Sequence, residues 1–498
     1  MQARTIAQRW HRESGWLSRF FVSLMVAALV WAIATWPLEW GALLLVGTAF
    51  ATLVFVQPRW GLYVLPFAVP FGSIREVSAG PATIGGTEAL LGLFLAAWVA
   101  RGVARRSLSL NRVPLMGAIS LWYGVMLLST SQSLSLGDSI KELIKWGETF
   151  ALYAIAANEL RRRDIVIIVG TTLAAGTLAS LEGIYQALFR VGPAGFLFPL
   201  AGRVWLRAYG RFIQPNPYAG YLGLVLPLAY SIVAVSLGLG GQQASESTRD
   251  HRLRSRGLLV GLAGLAAAII GLALFFTLSR GGWIGAGLAA IAIGVLLSRR
   301  AAVASMFIVI GLALFLLLGG AQLLPEALSN RATDFLPYIN VLDVDVRGAQ
   351  ITEANFSVIE RLAHWQAAFG MWADQPWLGQ GIGNYAAAYP AYMIPPWEEP
   401  LGHAHNLFLN TLAETGIIGL GAYLLFWGSG LVLAFRAVRR SEGLWRGVAV
   451  GILGAMVHLH AHNFFDNLYV HGIYLHLALL LAFAAILSQG TVQPEELS

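Results

Sequence analysis

Cysteine is absent from the 498 residues, which excludes a disulfide framework, a thiol nucleophile and any cysteine-ligated metal. Charge is also scarce. Asp, Glu, Lys and Arg together make up 12% of the chain, about half of what a soluble globular domain carries. No Gly-x-x-x-x-Gly-Lys-Ser/Thr loop occurs, so nothing points to a nucleoside triphosphate. The apolar runs are continuous and Leu/Ala-rich, not alternating, and this sets a transmembrane β-barrel aside. The net charge of +7 comes from arginines flanking apolar runs, so no nucleic-acid partner is expected.

What is present is apolar: 57% of the residues are hydrophobic. Repeated runs of roughly 17–25 such residues imply helices crossing a bilayer, where the backbone must satisfy itself. The expected fold is an all-α polytopic membrane protein. Spans are predicted at about 20–36, 39–56, 60–75, 86–100, 113–131, 137–157, 164–189, 218–240, 257–278, 281–298, 302–320, 417–436, 446–464 and 469–488. That is 14 transmembrane helices, or 12 if short ones merge, with a long outer loop before the last three. Arg4, Arg9, Arg12 and Arg19 precede the first run without a small-residue cleavage site, which suggests a retained helix. With that end inside, Arg59, Arg101, Arg105, Arg106, Arg112, Arg161–Arg163, Arg249–Arg256, Arg299, Arg300, Arg436, Arg439, Arg440 and Arg446 all fall inside. This is the expected cytoplasmic bias, with both termini cytoplasmic. The polar stretch 241–256 is expected to be a cytoplasmic loop. Four segments follow: an N-terminal helical frame (1–200), helices carrying two arginine motifs (201–320), a large outer loop (321–416) and C-terminal helices (417–498).

Two long regions then lie outside, about 190–217 and 321–416; loops of such length are usually functional. The second opens on an acidic stretch (Glu326, Asp334, Asp343, Asp345, Glu353) and continues in a helix over 357–374, for which Ser357 and Glu360 fit a capping box. Pro376 ends it, and Pro376–Tyr385 reads as a Gly-shaped turn. It closes on His403-Ala404-His405-Asn406, running into an apolar span through Glu414 and Gly416. His405 is the best general base or acceptor-orienting group, with His403 able to share the work. A metal reading of the pair is weak, because no Asp, Glu or Cys spacing completes a ligand set; two interfacial histidines without a role are the alternative. Arg280 in Ser279-Arg280-Gly281-Gly282 and Arg211 in the Pro/Gly-rich segment 210–220 are cations at a bilayer edge, which are costly unless paired or wet. Each could instead snorkel to lipid phosphate; Arg203 and Arg207 suit that role better. Lys141 and Lys145 on the sixth span are substrate-contact candidates, with internal pairing to nearby glutamates the blander alternative. His458, His460, His462 and Asp466 form a second polar cluster, read as a cavity lining more readily than as a zinc site.

These blocks resemble the O-antigen ligase/polymerase superfamily of bacterial membrane glycosyltransferases. His405-Asn406 followed by Gly416 and Gly419 is similar to that family's His-Asn…Gly-x-x-Gly signature. Ser279–Gly282, the Arg211 segment, and Arg361 and Trp365 before Pro376–Asn384 agree with it in order, so the resemblance spans about 205–470. It implies a glycosyltransferase of the inner membrane whose site faces the periplasm. The donor it implies is a glycan on undecaprenyl diphosphate, and the acceptor a glycolipid, glycan or protein. No cofactor and no metal are implied. The implied site has His405, Arg280 and Arg211 in catalysis, with Arg211, Arg280, Asn406, His403, Arg361, Lys141 and Lys145 toward substrate. A polysaccharide polymerase of the same superfamily is the alternative. A transporter of the inorganic-carbon type is the competing class; against it, no inverted repeat is visible and the polar residues gather at one face.

Overall fold

The computed structural model describes residues 37–72, 77–79, 82–106, 110–200, 203–239, 249–317, 346–352 and 355–489, with a few isolated positions besides. The predicted first span and the acidic residues Glu326, Asp334, Asp343, Asp345 and Glu353 lie outside them. The helices are α1 (Leu38–Val56), α2 (Arg59–Phe71), α3 (Gly86–Arg105), α4 (Met116–Ser129), α5 (Leu136–Glu159), α6 (Arg162–Phe189), α7 (Pro215–Ser236), α8 (Arg249–Phe276), α9 (Arg280–Leu297), α10 (Arg299–Leu317), α11 (Phe356–Asp374), α12 (Tyr385–Ala388), α13 (Leu407–Arg440), α14 (Gly443–His462) and α15 (Ile473–Ser488). Every predicted span from residue 39 onward therefore has a helix in place. Among the described residues, eight of them are long and apolar enough to cross a bilayer. That makes an all-α polytopic membrane protein, with the shorter helices α2, α4 and α15 below the length of a full span.

Two local expectations are corrected, and two short hairpins are added. The segment 241–256 is not all loop: α8 begins at Arg249, so a helix projects beyond its apolar stretch. Two antiparallel hairpins interrupt the helices, β1 (Val77–Ala79) with β2 (Ala82–Ile84), and β3 (Leu197–Leu200) with β4 (Arg203–Leu206). They are too short to show as alternating runs. The capping box at Ser357 does not form: the cap of α11 is Asn355, whose Oδ1 accepts from Thr352 N at 2.7 Å, and Ser357 lies inside the first turn.

The chain forms two compact units, residues 1–62 with 90–109, and residues 63–89 with 110–498. In the first, Gly61 lets Phe94 and Val54 close around it. The second is centred on α7, α14 and α15. α15 is apolar on all sides and nearly all of it is buried, as a core helix should be. Between α7 and α14 small residues allow close approach, the usual device where lipid supplies no hydrophobic drive. Gly447 and Gly451 lie against Ser231 and Leu228, and the Ser231 hydroxyl donates to the Gly447 carbonyl at 2.8 Å.

α13 is two helices merged across a kink at Gly416 (φ 64°, ψ −169°). The Pro376–Gly383 turn docks on the first half: Gln380 N–H donates to Ala413 O at 2.9 Å, and Ile417 N–H donates to Pro376 O at 2.9 Å. Glu414 Oε1 accepts Tyr385 N–H at 3.0 Å. On its other side Asn384 accepts Ser135 N–H at 2.6 Å and donates to Ser139 Oγ at 2.8 Å. The turn thus ties α11 and α13 to the start of α5.

Candidate active site

The site is built around the loop 463–472 between α14 and α15. Asn406 is the N-cap of α13: its Oδ1 accepts from Phe408 N at 3.0 Å and Leu409 N at 3.1 Å. Capping from a buried residue fixes the preceding turn, and there His405 adopts φ 51°. A left-handed backbone on a non-glycine residue is strained, and such strain collects at functional sites. It swings the His405 ring onto His403 (centroids 4.5 Å, 72°) and toward His364 of α11 (5.6 Å, 80°).

Asp466, from the far loop, faces both histidines. Its Oδ1 lies 3.7 Å from His405 Nδ1 and 3.6 Å from His403 Nε2. Burial pushes the Asp466 carboxyl up, but His405, His403 and Arg361 pull it down and prevail, so it stays ionised, well below the usual carboxylate range. His403 goes the other way: burial outweighs Asp466, with His405, Arg361 and Lys145 adding to it, and the ring is held neutral with a pKa of about 4. His364 is buried, its Nδ1 is 2.9 Å from the Tyr385 hydroxyl, and its ring stacks on Tyr389 (4.7 Å, 18°). Burial, then His405, His403 and Arg361, lower its pKa to about 3.

The three groups His403, His405 and Asp466 lie close enough to hold a metal ion. The hydrogen bonding speaks against His403 as a ligand. Its Nδ1 accepts the backbone N–H of His405 at 3.0 Å, so the one proton of the neutral ring sits on Nε2, facing Asp466. A protonated nitrogen has no lone pair to give.

The arginines frame this cluster unequally. Arg280 opens α9, where Ser279 Oγ caps by accepting Gly282 N–H at 3.3 Å and contacts His462 Nε2 at 3.3 Å. Its Nη2 donates to Ser357 Oγ at 3.0 Å. Arg361, one turn along α11, donates from Nη1 to Ser357 O at 2.6 Å and from Nε to Phe465 O at 3.3 Å. Ser357 therefore joins the two arginines beside Asp466. Arg211 is paired with Glu182 of α6 at 2.6 Å. Its neighbour Phe212 meets His471 of the same 463–472 loop (6.0 Å). Lys145 pairs with Glu142 at 2.6 Å and donates to Tyr469 O at 3.2 Å, so it too reaches this loop. Lys141 does not: it is half exposed and bound to Asp138 at 2.8 Å. Arg207 is tied to the carbonyl of Thr277 at 3.0 Å.

Sequence reasoning missed His364 and Glu182, and gave Asp466 only a lining role. Asp466 lies sixty-odd residues after His405 in the chain, with no spacing to betray the pairing. A buried histidine on an apolar helix face, as His364 is, offers no more signal than a core residue.

A helical membrane protein with a histidine–aspartate pair framed by arginines at one end of the bundle is the class that emerges. Residues 265–424 match the family model described as O-antigen ligase. This match supports the resemblance to the O-antigen ligase superfamily read from the motifs, and with it an O-antigen ligase-like membrane enzyme. No curated protein matches the chain.

Proposed function

We propose that the protein transfers a glycan from undecaprenyl diphosphate to an acceptor hydroxyl at the periplasmic face of the bacterial inner membrane. The observation that carries this reading is the ionised Asp466 facing His405 Nδ1. The carboxylate favours the proton on Nδ1, which leaves Nε2 as the basic nitrogen.

In the proposed step the acceptor oxygen attacks the anomeric carbon and its proton passes to His405 Nε2. The bond from that carbon to the phosphate oxygen breaks, and the electron pair leaves with undecaprenyl diphosphate. Charge grows on the diphosphate as the bond lengthens. Fixed cations in a half-dry site stabilise such charge best; Arg280 and Arg211 take that role. Arg361 and Lys145 add positive field, and His403 donates its Nε2–H toward Asp466. Direct displacement inverts the anomeric centre. The activated diphosphate supplies the free energy, and no metal is assigned a step.

The test is transfer in proteoliposomes with a synthetic undecaprenyl-diphosphate oligosaccharide, chelator present, and products read by mass. Glycan moved to an added acceptor and lost in His405→Ala supports the reading and identifies a ligase. A ladder of longer lipid-linked glycans identifies a polymerase at the same site. Activity restored only by added divalent metal overturns the metal-free step, and unchanged activity in His405→Ala overturns the base.

A further inference from the structure

α6 carries two polar side chains one turn apart, Glu182 and Gln186, and both are committed to the segment that presents Arg211. Gln186 Oε1 accepts the backbone N–H of Gly210 at 2.9 Å and of Tyr209 at 3.3 Å, and its Nε2 donates to the Gly210 carbonyl at 2.9 Å. From the other side, the Tyr218 hydroxyl donates to the Ala179 carbonyl at 2.7 Å, and its ring closes on Gly183 and Gly210. These contacts hold the backbone of the loop without any charge. Glu182 does something else: its Oε1 lies 2.6 Å from Arg211 Nε.

A carboxylate beside a diphosphate subsite repels the ligand unless it has a task there. The atom it takes shows the task. A guanidinium carries five N–H donors in a rigid fork, so one edge can be held while another faces a second anion. Among the described residues, Glu182 is the ion-pair partner of Arg211, and it sits on Nε. We infer that Glu182 is the positioning residue of Arg211, holding Nε so that the Nη1 and Nη2 end meets the donor diphosphate. The inference rests on the reading that Arg211 binds that diphosphate.

It predicts a reversal of sign. With Arg211 present, removing Glu182 costs orientation. With lysine at 211 there is one ammonium and no second edge, so Glu182 captures it and removing Glu182 helps. The assay is transfer by the full chain in proteoliposomes, with kcat and KM for the lipid-diphosphate oligosaccharide measured separately and elution on size exclusion as the check on folding. Glu182→Ala is expected to lower kcat about tenfold, and Glu182→Gln to retain most activity, because an amide oxygen still accepts from Nε. Arg211→Lys is expected to fall about as far as Arg211→Ala, and Arg211→Lys with Glu182→Ala or Glu182→Gln to recover several-fold over Arg211→Lys alone. Either Glu182 variant restoring nothing to Arg211→Lys, or wild-type kcat in Glu182→Ala, overturns the inference. Failure of the underlying reading shows separately: Arg211→Ala would itself keep full transfer.

Discussion

His405 is held by two constraints that oppose relaxation: a left-handed backbone behind it and a buried carboxylate in front. Asp466→Asn keeps the shape and removes the charge. The amide can present its own N–H to His405 Nδ1, which shifts the ring proton to Nε2 and blocks the base. Transfer kinetics should show kcat reduced by about a hundredfold or more, with KM for the donor little changed because the arginines remain. His364 makes a separate prediction about stability. Its folded pKa of about 3 lies below the ordinary 6.5, so as pH falls the unfolded chain takes up the proton first. The stability it contributes is full above 6.5 and is lost progressively between 6.5 and 3. Thermal unfolding followed from pH 7.5 to 5 should show a falling midpoint. In His364→Phe, which keeps a ring against Tyr389, that fall should be shallower.

At the scale of elements, the kink in α13 couples the turn 376–383 to the histidine segment. A Cβ on Gly416 would overlap the backbone of Trp377, and one on Gly379 the backbone of Glu414, both at φ 64°. Gly416→Ala should therefore lower stability by more than about 2 kcal/mol and abolish transfer. Gly421→Ala, five residues along the same helix where a Cβ meets nothing, should leave unfolding temperature and activity near wild type. The glycine pattern around this turn was legible in the sequence because few residues tolerate that backbone. The helices were legible because bilayer burial writes itself as continuous apolar runs. Contacts between distant segments were not: Ser357 reads as a helix cap and is a bridge between Arg280 and Arg361. Glu182 drew no reading from its apolar run, yet it holds Arg211. Local pattern reports what a residue does to its own backbone, and says little about which side chain arrives from elsewhere.

For the whole molecule, chain direction separates two kinds of arginine. α9 runs from Arg280 at the site to Leu297, just before Arg299 and Arg300. α13 runs from the histidine segment to Arg439 and Arg440, and α14 returns from near Arg446 to His462 beside the site. The site and the clustered basic loops therefore sit at opposite ends of the same helices. The positive-inside bias predicts a cytoplasmic basic end, and the proposed function then expects the site on the opposite side, where an already activated lipid-linked donor takes the place of a nucleotide pool. Absence of native cysteine makes this directly measurable. Leu401→Cys, on an exposed residue close to His403, and Arg300→Cys, at the other end, each introduce a single thiol into an otherwise thiol-free chain. A membrane-impermeant maleimide applied to intact spheroplasts should label Leu401→Cys at once, and Arg300→Cys only after the membrane is opened. The reverse pattern would put the site on the cytoplasmic side and remove the periplasmic donor from the proposed reaction.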